Sequence, residues 1–235
     1  MGDQTLLTLY IANKNYSSWS LRPWVLMKVL GIPFSEKLVP LEAGSCWDKY
    51  RTFSPNGLVP CLHDGALVVW ESLAIVEYLA ERHDGVWPQN TAARAWARSA
   101  AAEMHAGFAP LRNECGMNCG LRVQLNSISP ALQANLDRLD ELWTGGLAHF
   151  NGPYLAGDSF TAVDAFYAPV AFRIQTYGLP LGEAAAAYSR RLLNMDAMRE
   201  WYAAALLEKW RDPDHEEDVR VSGEVTEDLR ARPQN

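Results

Sequence analysis

The chain has 235 residues, room for one large domain or two small ones with separate cores. Hydrophobic residues make up 49% and charged residues 21%, which excludes a disordered or fibrous protein, and a net charge of −7 with no basic stripe argues against a nucleic-acid binder. No apolar run approaches the roughly 20 residues of a membrane span, no basic segment precedes the first apolar stretch as in a signal peptide, and four scattered cysteines (Cys46, Cys61, Cys115, Cys119) make no disulfide framework, so a soluble cytoplasmic protein is expected.

Residues 6–11 are a short β-prone apolar run, read as a buried strand, and the polar stretch 13–18 reads as a turn. A helix follows, with Ser20 as its cap, Pro23 in its first turn and Gly31 at its end. Residues 33–41 alternate enough for a second strand, 54–57 are turn-rich, and 59–70 fold back around Asp64-Gly65 as a hairpin. Leu73, Val76, Leu79 and Ala80 then recur at helical spacing. The order strand-helix-strand, loop, strand-strand-helix implies a parallel pair with a right-handed crossover and an added antiparallel pair.

Residues 86–91 read as a linker, and beyond them the texture changes. Residues 92–107 are Ala-rich; Leu132, Leu136, Leu139 and Leu142 mark a helix over 131–143; further helices are expected at about 162–176 and 192–210, with no strand pattern. From Arg211 the chain is charged and poor in large apolar residues, which predicts a solvated, flexible tail over 211–235.

Four local features lie in this frame: Ser17-Ser18-Trp19-Ser20-Leu21-Arg22-Pro23-Trp24 between the first strand and helix; Pro55-Asn56-Gly57-Leu58-Val59-Pro60; Glu71-Ser72 at the next helix start; and Gly157-Asp158-Ser159-Phe160-Thr161-Ala162-Val163-Asp164. Together they resemble the glutathione transferase superfamily, most like its zeta-type Ser-Ser-Cys branch, with Trp19 where that Cys falls. The resemblance covers residues 5–210 and implies an α/β plus all-α architecture. A thioredoxin-like domain (β-α-β-α-β-β-α) over 1–85 binds glutathione, and an all-helical domain over 92–210 binds the second substrate. It further implies a homodimer, glutathione as co-substrate and no metal.

The resemblance makes Ser17 the catalytic residue. A free thiol has a pKa of about 8.5, so little of it is thiolate at neutral pH. A hydroxyl at a helix N-terminus, where the dipole favours an anion, stabilises the charged form. Ser17 is equally suited to a plain turn, and Ser18 and Tyr16 are rivals for the role. Val59 before a cis Pro60 is implied to pair with the cysteinyl backbone of glutathione, and Glu71 and Ser72 to hold its γ-glutamyl end; Ser72 also suits a simple cap. The loop 42–50 is implied to hold the glycyl end, with Trp47 and Lys49 as candidates. Thr161 and Asp164 have capping-box spacing and a structural role. Tyr16, His105, Phe108 and Arg112 are candidates for the substrate pocket, although His105 and Arg112 equally suit packing and an ion pair.

The implied activity is attack of glutathione on a small, largely apolar electrophile. One alternative is glutathione-dependent cis-trans isomerisation like that of maleylacetoacetate isomerases. That branch uses an arginine where this chain has Thr176, with Arg173 a turn earlier. The other is a non-catalytic ligand-binding protein on the same fold.

Overall fold

A computed structural model describes residues 6–41 and 44–231 of the chain. The first part runs β1 (Leu7–Ile11), α1 (Ser18–Val29), β2 (Phe34–Leu38), α2 (Trp47–Arg51), β3 (Cys61–Asp64), β4 (Leu67–Trp70) and α3 (Ser72–Ala80). Its sheet has the order β2-β1-β3-β4: β1 pairs parallel with β2 from Leu7↔Phe34 to Ile11↔Leu38, and β3 is antiparallel to both β1 and β4. This is the expected thioredoxin-like arrangement. The short helix α2 stands in what the residue pattern alone reads as loop.

The first helix begins a turn earlier than its residues suggest. Ser17 rather than Ser20 is its N-cap, and Pro23 therefore lies in the second turn. Nine of its twelve residues are buried, since it packs against β1, α3, α7 (Ala162–Tyr177) and α9 (Asp196–Leu207).

The second part is helical: α4 (Thr91–Ala106), α5 (Ala109–Glu114), α6 (Pro130–Phe150), α7, α8 (Glu183–Leu193), α9 and α10 (Pro213–Ser222). The single helix expected at 192–210 is two elements broken at Asn194 and Met195, where Met195 is extended (ψ 143°) and caps α9. Two strands interrupt the helical run, β5 (Leu121–Leu125) and β6 (Gly223–Asp228), paired antiparallel. No helix among the described residues is long and apolar enough to cross a membrane.

The expected tail over 211–235 is corrected as far as Ala231. Asp212 caps α10, accepting the His215 N–H at 3.2 Å, with Pro213 at the first helical position. Several of its charges are paired and buried, while others stay exposed. The Arg230 side chain, 4% exposed, donates to Glu216 Oε2 at 3.0 Å and Asp228 Oδ2 at 2.8 Å.

The helical part is organised around α7, fourteen of whose sixteen residues are buried. Its start is the expected capping box. Asp164, fully buried, accepts the Thr161 N–H on Oδ2 (2.9 Å), and on Oδ1 the Leu155 N–H (3.0 Å) and the Tyr188 hydroxyl (2.8 Å). Burial pushes its carboxyl up to about 6 against those hydrogen bonds.

Asp164→Ala leaves three buried donors without an acceptor and is expected to cost about 3 kcal/mol, a fall of about 6–12 °C in melting temperature for a chain of this size; an unchanged melt refutes the structural role. Because the folded carboxyl titrates above its unfolded value, the native state takes up a proton as pH falls from about 6 to about 4. Asp164 therefore adds stability as pH falls through that window, and Asp164→Asn is expected to flatten this part of the stability–pH curve.

Candidate active site

The turn that leads into α1 is held from several sides. The Tyr16 and Ser17 N–H groups donate to Asn13 O at 3.1 and 2.8 Å. Asn15 reaches across to the helical part, its Nδ2 donating to Asn118 Oδ1 (2.9 Å) and its Oδ1 accepting the Gly120 N–H (3.0 Å). Glu208, 6% exposed, accepts the Lys14 N–H at 2.7 Å and the Asn15 N–H at 3.1 Å, and Trp201 Nε1 donates to Lys14 O at 2.8 Å.

Tyr16 takes part in this clamp and not in the substrate pocket, which corrects its candidacy. It is 2% exposed, and its hydroxyl donates to Glu216 Oε1 at 2.6 Å and accepts from Arg230 Nη1 at 3.3 Å. Burial and the adjacent Glu216 raise its phenol far above the ordinary range. A backbone turn rotates successive side chains to different sides, so adjacency to Ser17 in sequence carried no information about direction.

Ser17 is half-buried at the N-terminus of α1. Its Oγ lies 2.7 Å from Ser20 Oγ and accepts the Ser20 N–H at 3.4 Å, while Ser20 Oγ accepts the Ala12 N–H at 3.3 Å. The rival Ser18 is buried and accepts from Arg173 Nη2 at 3.3 Å. Thr176 is likewise committed to structure, donating to Asn118 O at 2.6 Å.

Facing this turn, the Val59–Pro60 peptide is cis. Trp19, Asn56, Leu58, Val59, Pro60 and Glu71 line a cavity of about 250 Å³. Three of the expected glutathione-binding residues, Val59, Pro60 and Glu71, thus line one cavity, whereas Ser17 and Ser72, at the starts of α1 and α3, are not among its lining residues. Glu71 has φ 73°, left-handed backbone that costs a non-glycine residue about 1–3 kcal/mol, and it provides no side-chain cap for α3. Ser72, the first residue of α3, is fully buried, yet its Oγ has no hydrogen-bond partner among the described residues. The N–H groups of that first turn have no intrahelical acceptor either.

His105 and Arg112 are brought to the cleft through Trp19. The His105 ring meets the Trp19 ring edge-on with centroids 5.3 Å apart, and its Nε2 is 3.9 Å from Glu71 Oε2. Arg112 Cζ lies 5.6 Å from the Trp19 centroid. Phe108 does not join them: it is 6% exposed inside the core, edge-on to Tyr167, which corrects its candidacy. Of the residues proposed for the glycyl end, Trp47 lies on Gly57, where an added Cβ would come within 2.5 Å of its ring, and Lys49 Nζ donates to Pro40 O at 3.2 Å. Glu42 and Ala43 of that loop lie outside the described residues.

Sequence reasoning missed Trp19 as a cavity wall and Arg22 beneath it. The signal was present as spacing: Arg22 follows Trp19 by three residues on one helix face, and its guanidinium lies 4.0 Å over the Trp19 ring.

Residues 16–82 match the family model described as glutathione S-transferase, N-terminal domain, and residues 122–204 match glutathione S-transferase, C-terminal domain. The chain belongs to the glutathione S-transferase superfamily of enzymes. It is 27% identical to glutathione S-transferase 1 of Dianthus caryophyllus, over 75% of this chain and 81% of that one. It is 26% identical to a probable maleylacetoacetate isomerase of Caenorhabditis elegans, over 74% of this chain and 81% of that one. Among solved structures, the theta-class enzyme of Xanthomonas axonopodis pv. citri with glutathione bound superposes with a TM-score of 0.59 at 26% identity, over 84% of this chain and 97% of that one.

Tyr16→Phe removes one buried hydroxyl from the clamp and nothing from the cleft. It is expected to lower the melting temperature by about 2–6 °C, the equivalent of about 1–1.5 kcal/mol, and to leave kcat/KM within about twofold of the parent. A loss of a hundredfold in rate with an unchanged melt restores Tyr16 to the site.

Proposed function

We propose that this chain is a glutathione transferase that activates the glutathione thiol for attack on a small electrophile with a largely apolar body. The observation that carries the reading is Ser72, a fully buried hydroxyl without a partner at the uncapped start of α3. An orphaned buried polar group costs about 1–3 kcal/mol. A carboxylate there offsets that cost, because it accepts from the Ser72 hydroxyl and the first-turn N–H groups and meets the positive end of the helix dipole. The γ-glutamyl end of glutathione carries such a carboxylate next to an ammonium, which suits the Glu71 side chain alongside. The backbone of Val59, ahead of the cis Pro60, then pairs with the cysteinyl part. On this reading the chain up to residue 85 holds glutathione, residues 86–91 connect, and residues 92–210 face the second substrate.

Ser17 supplies the activation. Ser17 Oγ donates to Ser20 Oγ at 2.7 Å, and because both hydroxyls rotate, that bond can reverse with Ser20 as donor, its Oγ accepting from the Ala12 N–H. That frees the Ser17 proton for the glutathione sulfur. One charge-assisted hydrogen bond is worth about 1.5–3 kcal/mol, or about one to two units of thiol pKa. From about 8.5, that is enough to make thiolate abundant at neutral pH.

Ser17→Ala is expected to lower the conjugation rate about 10–100-fold and to move the midpoint of the pH–rate profile up by about one unit or more. Glutathione affinity by calorimetry should stay within about threefold, since the peptide's ends carry most of the binding. Ser17→Cys should trade conjugation for glutathione-dependent thiol transfer. Ser72→Ala should weaken glutathione binding about tenfold while saturating glutathione restores most of the rate. A fully active Ser17→Ala with an unshifted profile, or a Ser72→Ala with parental affinity, overturns the assignment.

A further inference from the structure

Three guanidinium groups gather around Trp19 and Ser18, and among the described residues no carboxylate is bonded to any of them. Arg22 comes from α1, Arg112 from α5 and Arg173 from α7. Arg112 donates to Met104 O at 3.0 Å; Arg173 donates to Cys115 O and to Ser18 Oγ. The Arg22 side chain makes no hydrogen bond among the described residues: it is 1% exposed, and its Nε and Nη1 are buried without a partner there, as is Arg173 Nε.

Aromatic faces account for part of this. The Arg22 guanidinium lies 4.0 Å from the Trp19 centroid and 4.9 Å from that of Phe166. Cation–π contacts offset only part of what a buried unpaired charge costs, and a ring face leaves in-plane N–H donors unsatisfied. The charges also repel one another. Burial, then the Arg112 and Arg173 charges, push Arg22 down to about 9, and burial first pushes Arg173 down to about 10. Across the elements packed here, the acid that acts on Arg22 is Glu71, an exposed residue 3.9 Å from His105. His105 adds a buried Nδ1 without a partner, and burial and Arg22 lower its pKa, so it offers a donor as a neutral ring.

The cluster backs onto the cleft through one residue. Trp19 lines the cavity beside Val59, Pro60 and Glu71, and both Arg22 and Arg112 lie on its ring. We propose that Arg112, the half-buried member, with the buried Arg22 charge behind Trp19, forms an anion subsite that receives a carboxylate carried by the second substrate, an inference that rests on the glutathione transferase reading of the same cleft. A carboxylate supplies the missing counter-charge, and its planar pair of oxygens matches the guanidinium fork. Arg173, fastened to Cys115 and Ser18, adds charge from behind and positions Ser18.

The test uses two inert conjugates that span both halves of the cleft, S-(4-carboxybenzyl)glutathione and S-(4-carbamoylbenzyl)glutathione, titrated calorimetrically against the full chain. The parent is expected to bind the carboxylate conjugate about tenfold more tightly than the amide. Arg112→Gln, a half-buried position, should cut that preference to about threefold or less, and Arg22→Met should abolish it. Neither should change the affinity for glutathione itself. Equal affinity of the parent for the two conjugates, or a preference that survives both substitutions, overturns the subsite while leaving glutathione binding intact. If the parent binds neither conjugate nor glutathione, the transferase reading falls and takes the subsite with it.

Discussion

Helix α1 is buried along nine of its twelve residues. Packed against β1, α3, α7 and α9, it buries Leu21, Val25, Leu26 and Met27 completely, each worth about 1.5–3 kcal/mol. That total exceeds the several kcal/mol that a buried, unpaired Arg22 costs, which is why the helix tolerates a cation in its interior. Two consequences follow from the one constraint. Ser17 sits at the end of a rod that cannot tilt, so its hydroxyl is aimed by the packing of the whole molecule. And Arg22, one turn inside, cannot swing to water and must find its charge balance within the cleft.

The rod is only as well placed as the turn that feeds it, and here the chain uses its far end. Residues 13–17 are irregular backbone inside the molecule, where every N–H needs an acceptor. Glu208 accepts two of them, and Glu216, aligned by Arg230, takes the Tyr16 hydroxyl. The segment beyond residue 210 is charged because its charges are the fasteners. Buried carboxylates that accept backbone N–H groups are strong and directional, so a polar segment orders without a hydrophobic core of its own.

That distinction sets what was legible in the sequence. The hairpin around Asp64-Gly65 and the start of α7 at Thr161 announce themselves through local chemistry, turn residues and a capping box, and the structure has both. The pair β5–β6 joins segments about a hundred residues apart; β5 does alternate apolar and polar residues over five positions, but its partner β6 is largely exposed and carries no apolar face to read. α10 did have a local signal, Asp212 followed by Pro213, but composition pointed to solvent because pairing partners such as Tyr16 are distant in sequence. In the site the same rule applies. The helix start at Ser72 follows from local spacing and family likeness, whereas residue type alone puts the first cap at Ser20 instead of Ser17; the direction in which Tyr16 and Phe108 point, and the company Arg22 keeps, are properties of tertiary packing alone.

A chain with a net charge of −7 that collects three arginines in its interior separates its local field from its overall one. Net charge governs encounters at long range, where salt screens it within about 8–10 Å; inside a low-dielectric cleft a few fixed charges dominate. Arg173 reaches Ser18, the residue after Ser17, so its charge also falls on the start of α1, where a thiolate would be held. A positive field there favours thiolate over thiol. On the proposed reading, the arginines would serve two anions in sequence, a sulfur that must be charged to react and a carboxylate that must be held to be attacked. Since each anion weakens the field felt by the other, the arrangement works best with the charges spread, Arg173 behind Ser18 and Arg22 with Arg112 across the Trp19 ring. The observed placement on three different helices keeps the two sites adjacent without merging them.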